Sequence, residues 1–193
     1  MSIYGTQLSA ITFMAIPATT YRLDATPARH TQGSEGTLPS GLVSADFDAK
    51  SFSGRADAHR VGSDFNHAMN AAGLCMFMYM SLPSANAITD FMRAVTGWDV
   101  TTEELVKTGE RIANIRHSFN IREGLNPVDF KVPDRVLGRP ALKEGPLAGV
   151  TMDEETLVSE YLQAMGWDPK TAKPSKAKLT ELGLDDVVGV FWP

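Results

Sequence analysis

Five glycines, Gly73, Gly97, Gly124, Gly166 and Gly183, each follow an apolar run of helical spacing, and this pattern constrains the fold more than any other feature. A glycine just past the last periodic residue lets the chain leave a helix through the left-handed region, which residues with a Cβ resist. From Arg55 onward, Ala58, Val61, Phe65, Ala68 and Met69 recur at three- and four-residue steps, so the first helix is expected to end near Asn70–Gly73. A second helix is expected between Ser84 as N-cap and Gly97 as stop, with Ile88, Phe91, Met92 and Val95 inward. Thr101-Thr-Glu-Glu104 has the form of a capping box and opens the longest helix, to about Arg122, with Leu105, Ile112, Ile115 and Phe119 among its apolar positions. Asp153 caps a helix through Met165, with Trp167 docking behind Gly166, and Ser175–Leu182 forms a last short helix.

Between these helices the chain is irregular. Leu125–Val150 carries Pro127, Pro133, Pro140 and Pro146, which exclude a continuous helix and suggest an ordered strap across the helices. Residues 1–54 are rich in Ser, Thr, Gly and Pro and lack a helical period, although Ser9–Ala18 could be a short strand or buried extended segment. Tyr21–Gln32 reads as an ordered loop with a turn at Pro27, and the apolar tail Val187–Trp192 as packing back on the body. The fold class that follows is mainly α: an irregular helical domain with long ordered loops. Residues 1–54 form an irregular opening segment and residues 55–193 the helical domain. So long an irregular opening is more often a functional loop or a segment packed on something else, and the chain reads as part of a larger protein.

Composition narrows the function classes. A net charge of −5 excludes a basic nucleic-acid footprint, and no apolar run reaches the ~18 residues of a membrane span. Leu8–Ala18 is apolar, but no Lys or Arg precedes Arg22, so a secretory signal is rejected and a cytoplasmic location expected. A single cysteine, Cys75, rules out an intrachain disulfide.

The chemistry-bearing residues are sparse. His59 and His67 lie eight apart on one predicted helix, separated by over ~10 Å of helical rise, too far for a shared metal. With His117 they read as surface or core side chains. No phosphate-binding glycine loop, Gly-x-Ser-x-Gly elbow or His-Glu-x-x-His occurs. A Cys75–His30 nucleophilic pair is conceivable but has no local support. Lys170, Lys173, Lys176 and Lys178 read as a solvated basic face. On composition alone Cys75 is a small buried hydrophobe.

Several stretches taken together change that reading. Asn70-Ala-Ala-Gly-Leu-Cys-Met-Phe77, Val95-Thr-Gly-Trp-Asp99, Gly109-Glu-Arg-Ile-Ala-Asn114 and Phe119-Asn-Ile-Arg-Glu-Gly124 follow one another in order. Glu144-Gly-Pro-Leu-Ala-Gly149, Gly166-Trp-Asp168 and Lys178-Leu-Thr-Glu-Leu-Gly-Leu184 continue the series. In order and approximate spacing, over about residues 18–185, they resemble the C-terminal part of the tungsten-containing aldehyde ferredoxin oxidoreductase family. The resemblance implies a helical part of a larger enzyme in which a small aldehyde and water become a carboxylic acid and two electrons leave through a [4Fe–4S] cluster to ferredoxin. Tungsten in that family is held by two pterins (a molybdopterin-type cofactor), and sequence does not separate it from molybdenum. By resemblance, Cys75 is the isolated cluster-ligating cysteine. Asn70 and Leu74 match the pterin-binding motif, with Gly73 giving the turn that lets backbone approach the cofactor. His30 matches the histidine beside the tungsten centre, a proton donor or acceptor for the aldehyde oxygen.

Two departures accompany the match. Asn70 stands where the motif has Asp, and an amide offers one acceptor and a competing donor where a carboxylate accepts two pterin N–H groups. The family's upstream Cys-x-x-Cys-x-x-x-Cys ligands and first pterin motif are absent, so the chain alone is expected to be inactive and to hold neither cluster nor tungstopterin. The expected partner is the N-terminal domain or subunit of the same enzyme. Apolar surface around the opening segment and the Cys75 turn is expected to favour self-association. The other reading is a stand-alone, non-catalytic helical binding or assembly module derived from that family.

Overall fold

The computed structural model describes residues 22–27, 42, 52–75, 77–78, 81–82, 84–145 and 147–192. Among the described residues the bounded helices are α1 (Ala56–Ala71), α2 (Ala85–Thr96), α3 (Thr102–Arg122), α4 (Glu154–Met165), α5 (Lys176–Glu181) and α6 (Asp185–Phe191), with a 3₁₀ turn at Pro127–Asp129. No strand occurs among the described residues, where only isolated bridges pair Leu142 with Ala148 and Trp167 with Pro174. The mainly α reading holds. Ser9–Ala18 and His30 lie outside the described residues.

Local signals set the helix ends. The Thr101 hydroxyl accepts from Glu104 N at 3.1 Å while the Glu104 carboxylate accepts from Thr101 N at 2.8 Å, the reciprocal capping box that the sequence predicts. Asp153 accepts from Thr156 N and Ser175 from Lys178 N, whereas Ser84 occupies the N-cap of α2 without a side-chain cap bond. At the end of α1, Gly73 N donates to Asn70 O and Leu74 N to Met69 O, which is a Schellman turn. The same pair of bonds closes α3 at Gly124–Leu125, α4 at Gly166–Trp167 and α5 at Gly183–Leu184.

α1 is the central helix. Every residue from Gly62 to Met69 is buried, more than two full turns, with α3 and α4 packed against it. Where α3 crosses α1 the backbones touch: a Cβ on Gly109 would stand 1.7 Å from Asp64 O. Three apolar clusters make up the described core. Phe65, Ala68 and Met69 of α1 meet Ala85 and Ile88 of α2 and Leu105 of α3. Leu23, Ala113, Tyr161, Leu162, Met165, Trp167 and Ala172 form a second cluster, and Leu137, Met152 and Leu157 tie the proline-rich strap to α4.

Three expectations need correction. Only Ala85, Ile88 and Thr89 of α2 are buried, and Phe91 and Val95, expected inward, are 55% and 85% exposed. Helical spacing identifies an apolar face but not what covers it, and the body covers only the first half of this one. The tail packs only in part, as α6, with Val187 and Val188 half-buried but Val190 exposed. The lysines are not a uniform solvated face. Lys178 bonds Glu110 at 2.9 Å, and Lys173 donates to Phe191 O while lying over the Trp192 ring.

Candidate functional site

The Asn70–Cys75 turn is built by the end of α1. Met69 and the half-buried Leu74 anchor it in the first apolar cluster, and the Schellman bonds fix its path. Gly73 has φ +77°, and nothing lies within 4 Å of where its Cβ would be, so the turn needs glycine and presents open backbone. Cys75 follows, exposed, contrary to the buried thiol that composition suggests, and Phe77 two residues on is exposed too. Asn70 is held along its own helix, its amide donating to Asn66 O at 2.8 Å. The structure therefore brings Asn70, Gly73, Leu74 and Cys75 to one helix end.

As a donor set, this turn fits one corner of an iron–sulfur cluster: an accessible thiol after a glycine turn with room for a bulky group. A [4Fe–4S] cluster takes four thiolates, and the chain contains one cysteine. Among the described residues no three His, Cys, Asp or Glu side chains converge as a metal-binding group. Two clefts of about 530 and 480 Å³ open elsewhere, one beside Arg22 and Glu154 and one beside Trp167 and Trp192. Neither is lined by the turn.

Sequence reasoning missed a second cluster of polar groups, in the interior. Asp24, fully buried, accepts from Thr26 N and Thr26 Oγ1 at 2.9 and 2.8 Å and from Ser63 Oγ at 2.7 Å, and His67 Nε2 lies 3.3 Å from its carboxylate. Arg116 Nη1 stands 2.8 Å from His67 Nδ1. A guanidinium can only donate, so Nδ1 is the acceptor and the Nε2–H faces Asp24. Around this pin, Arg22 donates to Pro127 O and pairs with Glu154, and Asn120 donates to Ala25 O. The described stretch 22–27 is thus locked onto α1, α3 and the strap. The signal lay 39 and 43 residues from its partners, with nothing local to mark it.

Burial sets the titration of this interior. It alone would push the Asp24 carboxyl up, but hydrogen bonds from His67, Ser63 and Thr26 outweigh it and hold the group well below the usual carboxylate range. His59, stacked on Tyr161, and His117, stacked on Trp167, are lowered to about 4 by burial, which outweighs the opposing pull of Asp24 on both and of the Ala172 carbonyl on His117. Asp64 is raised to about 8 by burial and by the charge of Glu110, with Arg60 and Lys178 opposing. Its Oδ2 accepts from Arg60 at 3.2 Å, and its Oδ1 has no hydrogen-bond partner among the described residues. His59, His67 and His117 are accordingly core side chains.

Fold and geometry together define a helical domain whose Asn70–Cys75 turn lies open at the end of its central helix. The family model described as aldehyde ferredoxin oxidoreductase, domains 2 & 3, matches residues 1–184, and the chain belongs to that family. It is similar to the tungsten-containing aldehyde ferredoxin oxidoreductase of Pyrococcus furiosus, 38% identical over 122 residues, which cover 63% of this chain and 20% of that protein. The proteins of the same name from Pyrococcus abyssi (36% over 126 residues; 65% and 20%) and Thermococcus kodakarensis (36% over 122; 63% and 20%) are comparable. The chain spans about 20% of the length of the curated relatives it matches.

Proposed function

We propose that this chain is the domain 2 and 3 part of an oxidoreductase that converts small aldehydes to carboxylic acids, functional only together with the rest of the protein. In this reading Cys75 supplies one thiolate of a [4Fe–4S] cluster, which when bound carries the two electrons towards ferredoxin. Asn70 and Leu74 contact a pterin of the bis-pterin tungsten cofactor, which when bound supplies the oxidation chemistry. The Gly73 turn lets backbone approach it. His30 exchanges a proton with the aldehyde oxygen. The remaining thiolates come from the N-terminal domain or subunit, on which part of the segment 1–54 packs, in a cytoplasmic assembly.

What supports the reading most is the exposed Cys75 thiol on a glycine turn, held by a helix whose middle is buried, in a chain of this family. A structural cysteine has no reason to sit outside the core at such a turn. The test is reconstitution. The purified chain is expected to be colourless near 400 nm, and co-expression with an N-terminal half carrying three cluster cysteines should yield about four iron atoms per complex. Stoichiometric iron on the chain alone would overturn the assignment of the other ligands. One observation favours a non-catalytic assembly module instead: Asn70, whose amide is already bonded to its own helix, in place of a pterin-gripping carboxylate. Complex formation without iron would favour that module.

A further inference from the structure

The apolar residues of the second helix do not end where its packing ends. Phe91 and Val95 are four apart on α2, and Trp98 follows just past Gly97, where the chain has left the helix; all three are exposed, Val95 at 85%. Phe91 and Val95 continue the stripe of Ile88, which in the first half of the helix is buried, with Ala85, in the first apolar cluster. That same cluster is rimmed by the half-buried Leu74 and Met78 of the Cys75 turn and by Met92 of α2. The open face of α2 and the cysteine turn are therefore two edges of one core. Phe77, 68% exposed, stands between Cys75 and Met78. Arg93, paired with Asp90 and Asp99, provides a charged border. Apolar centre, aromatic anchors and polar rim are the anatomy of a protein interface.

We infer that the face formed by Phe91, Val95 and Trp98, with Phe77, is the surface on which the rest of an aldehyde ferredoxin oxidoreductase polypeptide docks. The inference rests on the proposed function. The occupant is argued from two facts: the matched part is 20% of the relatives' length, and Cys75 supplies one thiolate where a cluster takes four. Whatever carries the other three must approach the turn to within the size of a cluster, and this face runs on from the apolar cluster that the turn also rims. Exposed apolar residues also occur on α3, at Ile115 and Phe119 with Val190 of α6, but that groove adjoins Ser118 and Arg122 and no residue of the turn.

The experiment uses the chain co-expressed with an N-terminal half bearing three cluster cysteines, as wild type and as Phe91→Asp, Val95→Asp and, for comparison, Phe119→Asp. Circular dichroism checks folding, which these exposed positions should leave intact. Complex affinity is read by titration, iron by absorbance near 400 nm, and self-association by sedimentation. The expected result is a complex at least about tenfold weaker for Phe91→Asp and Val95→Asp, with iron lost in proportion, and an unchanged one for Phe119→Asp. If the α2 variants bind as wild type does, or only Phe119→Asp loses binding, the surface is wrongly assigned while the proposed function stands. If the α2 variants only turn a self-dimer into monomers, a second copy is the occupant and the inference fails. If the wild-type chain forms no complex, the proposed function falls and takes this surface with it.

Discussion

One helix contains a wholly enclosed stretch and runs out into an open turn. The middle of α1 is buried on all sides although it is polar: Ser63, Asp64, Asn66 and His67 stand beside Phe65 and Ala68. Its C-terminal turn, three residues beyond His67, ends in an exposed thiol. The difference lies in where the partners come from. In the middle, Asp24, Arg116 and the close-packed α3 backbone are supplied by this chain, so burial of polar groups is offset by hydrogen bonds. At the turn the chain supplies only the path, through Gly73 and Leu74, and leaves the thiol exposed. A substitution in the middle should therefore read out as stability and one at the turn as function.

The most severe break in that comparison should be Gly109→Val. Its Cβ would fall 1.7 Å from Asp64 O, backbone against side chain, so the helices must separate. A loss of at least about 3 kcal/mol in denaturant unfolding is expected. A loss below ~1 kcal/mol would mean that α1 and α3 can part freely and that the buried middle is not rigid.

Asp24→Ala should come next, at roughly 2–3 kcal/mol, because Ser63 and His67 would be left as buried donors without an acceptor, and the half-buried Thr26 would lose its partner. Proteolysis should then cut near residues 22–27 before the helices, and equal protection of both would contradict the pin. This is also where sequence reading stops. Caps and stops are local, so Thr101, Asp153, Gly73 and Gly166 are legible within a few residues. The cluster at Asp24 joins positions 24, 63, 67 and 116, which no periodicity connects. In the same way the apolar spacing of α2 is legible, but the exposure of Val95 depends on what the rest of the fold fails to cover. The turn residues were legible through resemblance, and their assembly at one helix end follows from the Gly73 stop.

The pH profile sharpens the contrast because its titrating groups lie in the buried interior. His59 and His117, at about 4 when folded against an ordinary 6.5, refuse protons that the unfolded chain accepts, so stability falls as pH drops from about 6.5 towards 4. Asp64, at about 8 against an ordinary 3.8, keeps a proton that the unfolded chain releases, so it lowers stability as pH rises from about 4 towards 8. Each group contributes a slope of about 1.4 kcal/mol per pH unit inside its window. Two histidines outweigh one aspartate below pH 6.5 and the aspartate acts alone above, so maximal stability is expected near pH 6.5. Asp64→Asn should flatten the alkaline side and raise stability at pH 8 relative to the parent chain, read from denaturation midpoints across pH. An unchanged alkaline slope would place the titrating group elsewhere.

The smallest effect on stability should belong to the residue with the largest proposed role. Cys75 is exposed, so Cys75→Ser removes almost no packing, and its unfolding midpoint should shift by less than ~0.5 kcal/mol. Gly73→Ala, two residues earlier, should cost about 1 kcal/mol or more because of its positive φ, which separates the turn's backbone from its thiol. In the reconstituted complex Cys75→Ser should lose cluster absorbance while the complex itself persists. A hydroxyl is a poor substitute for thiolate at iron, and the interface on α2 remains intact. Should Cys75→Ser instead unfold the chain, the thiol would be a packing residue after all, and the division between a self-sufficient helix middle and an outward-facing helix end would fail at the residue that motivates it.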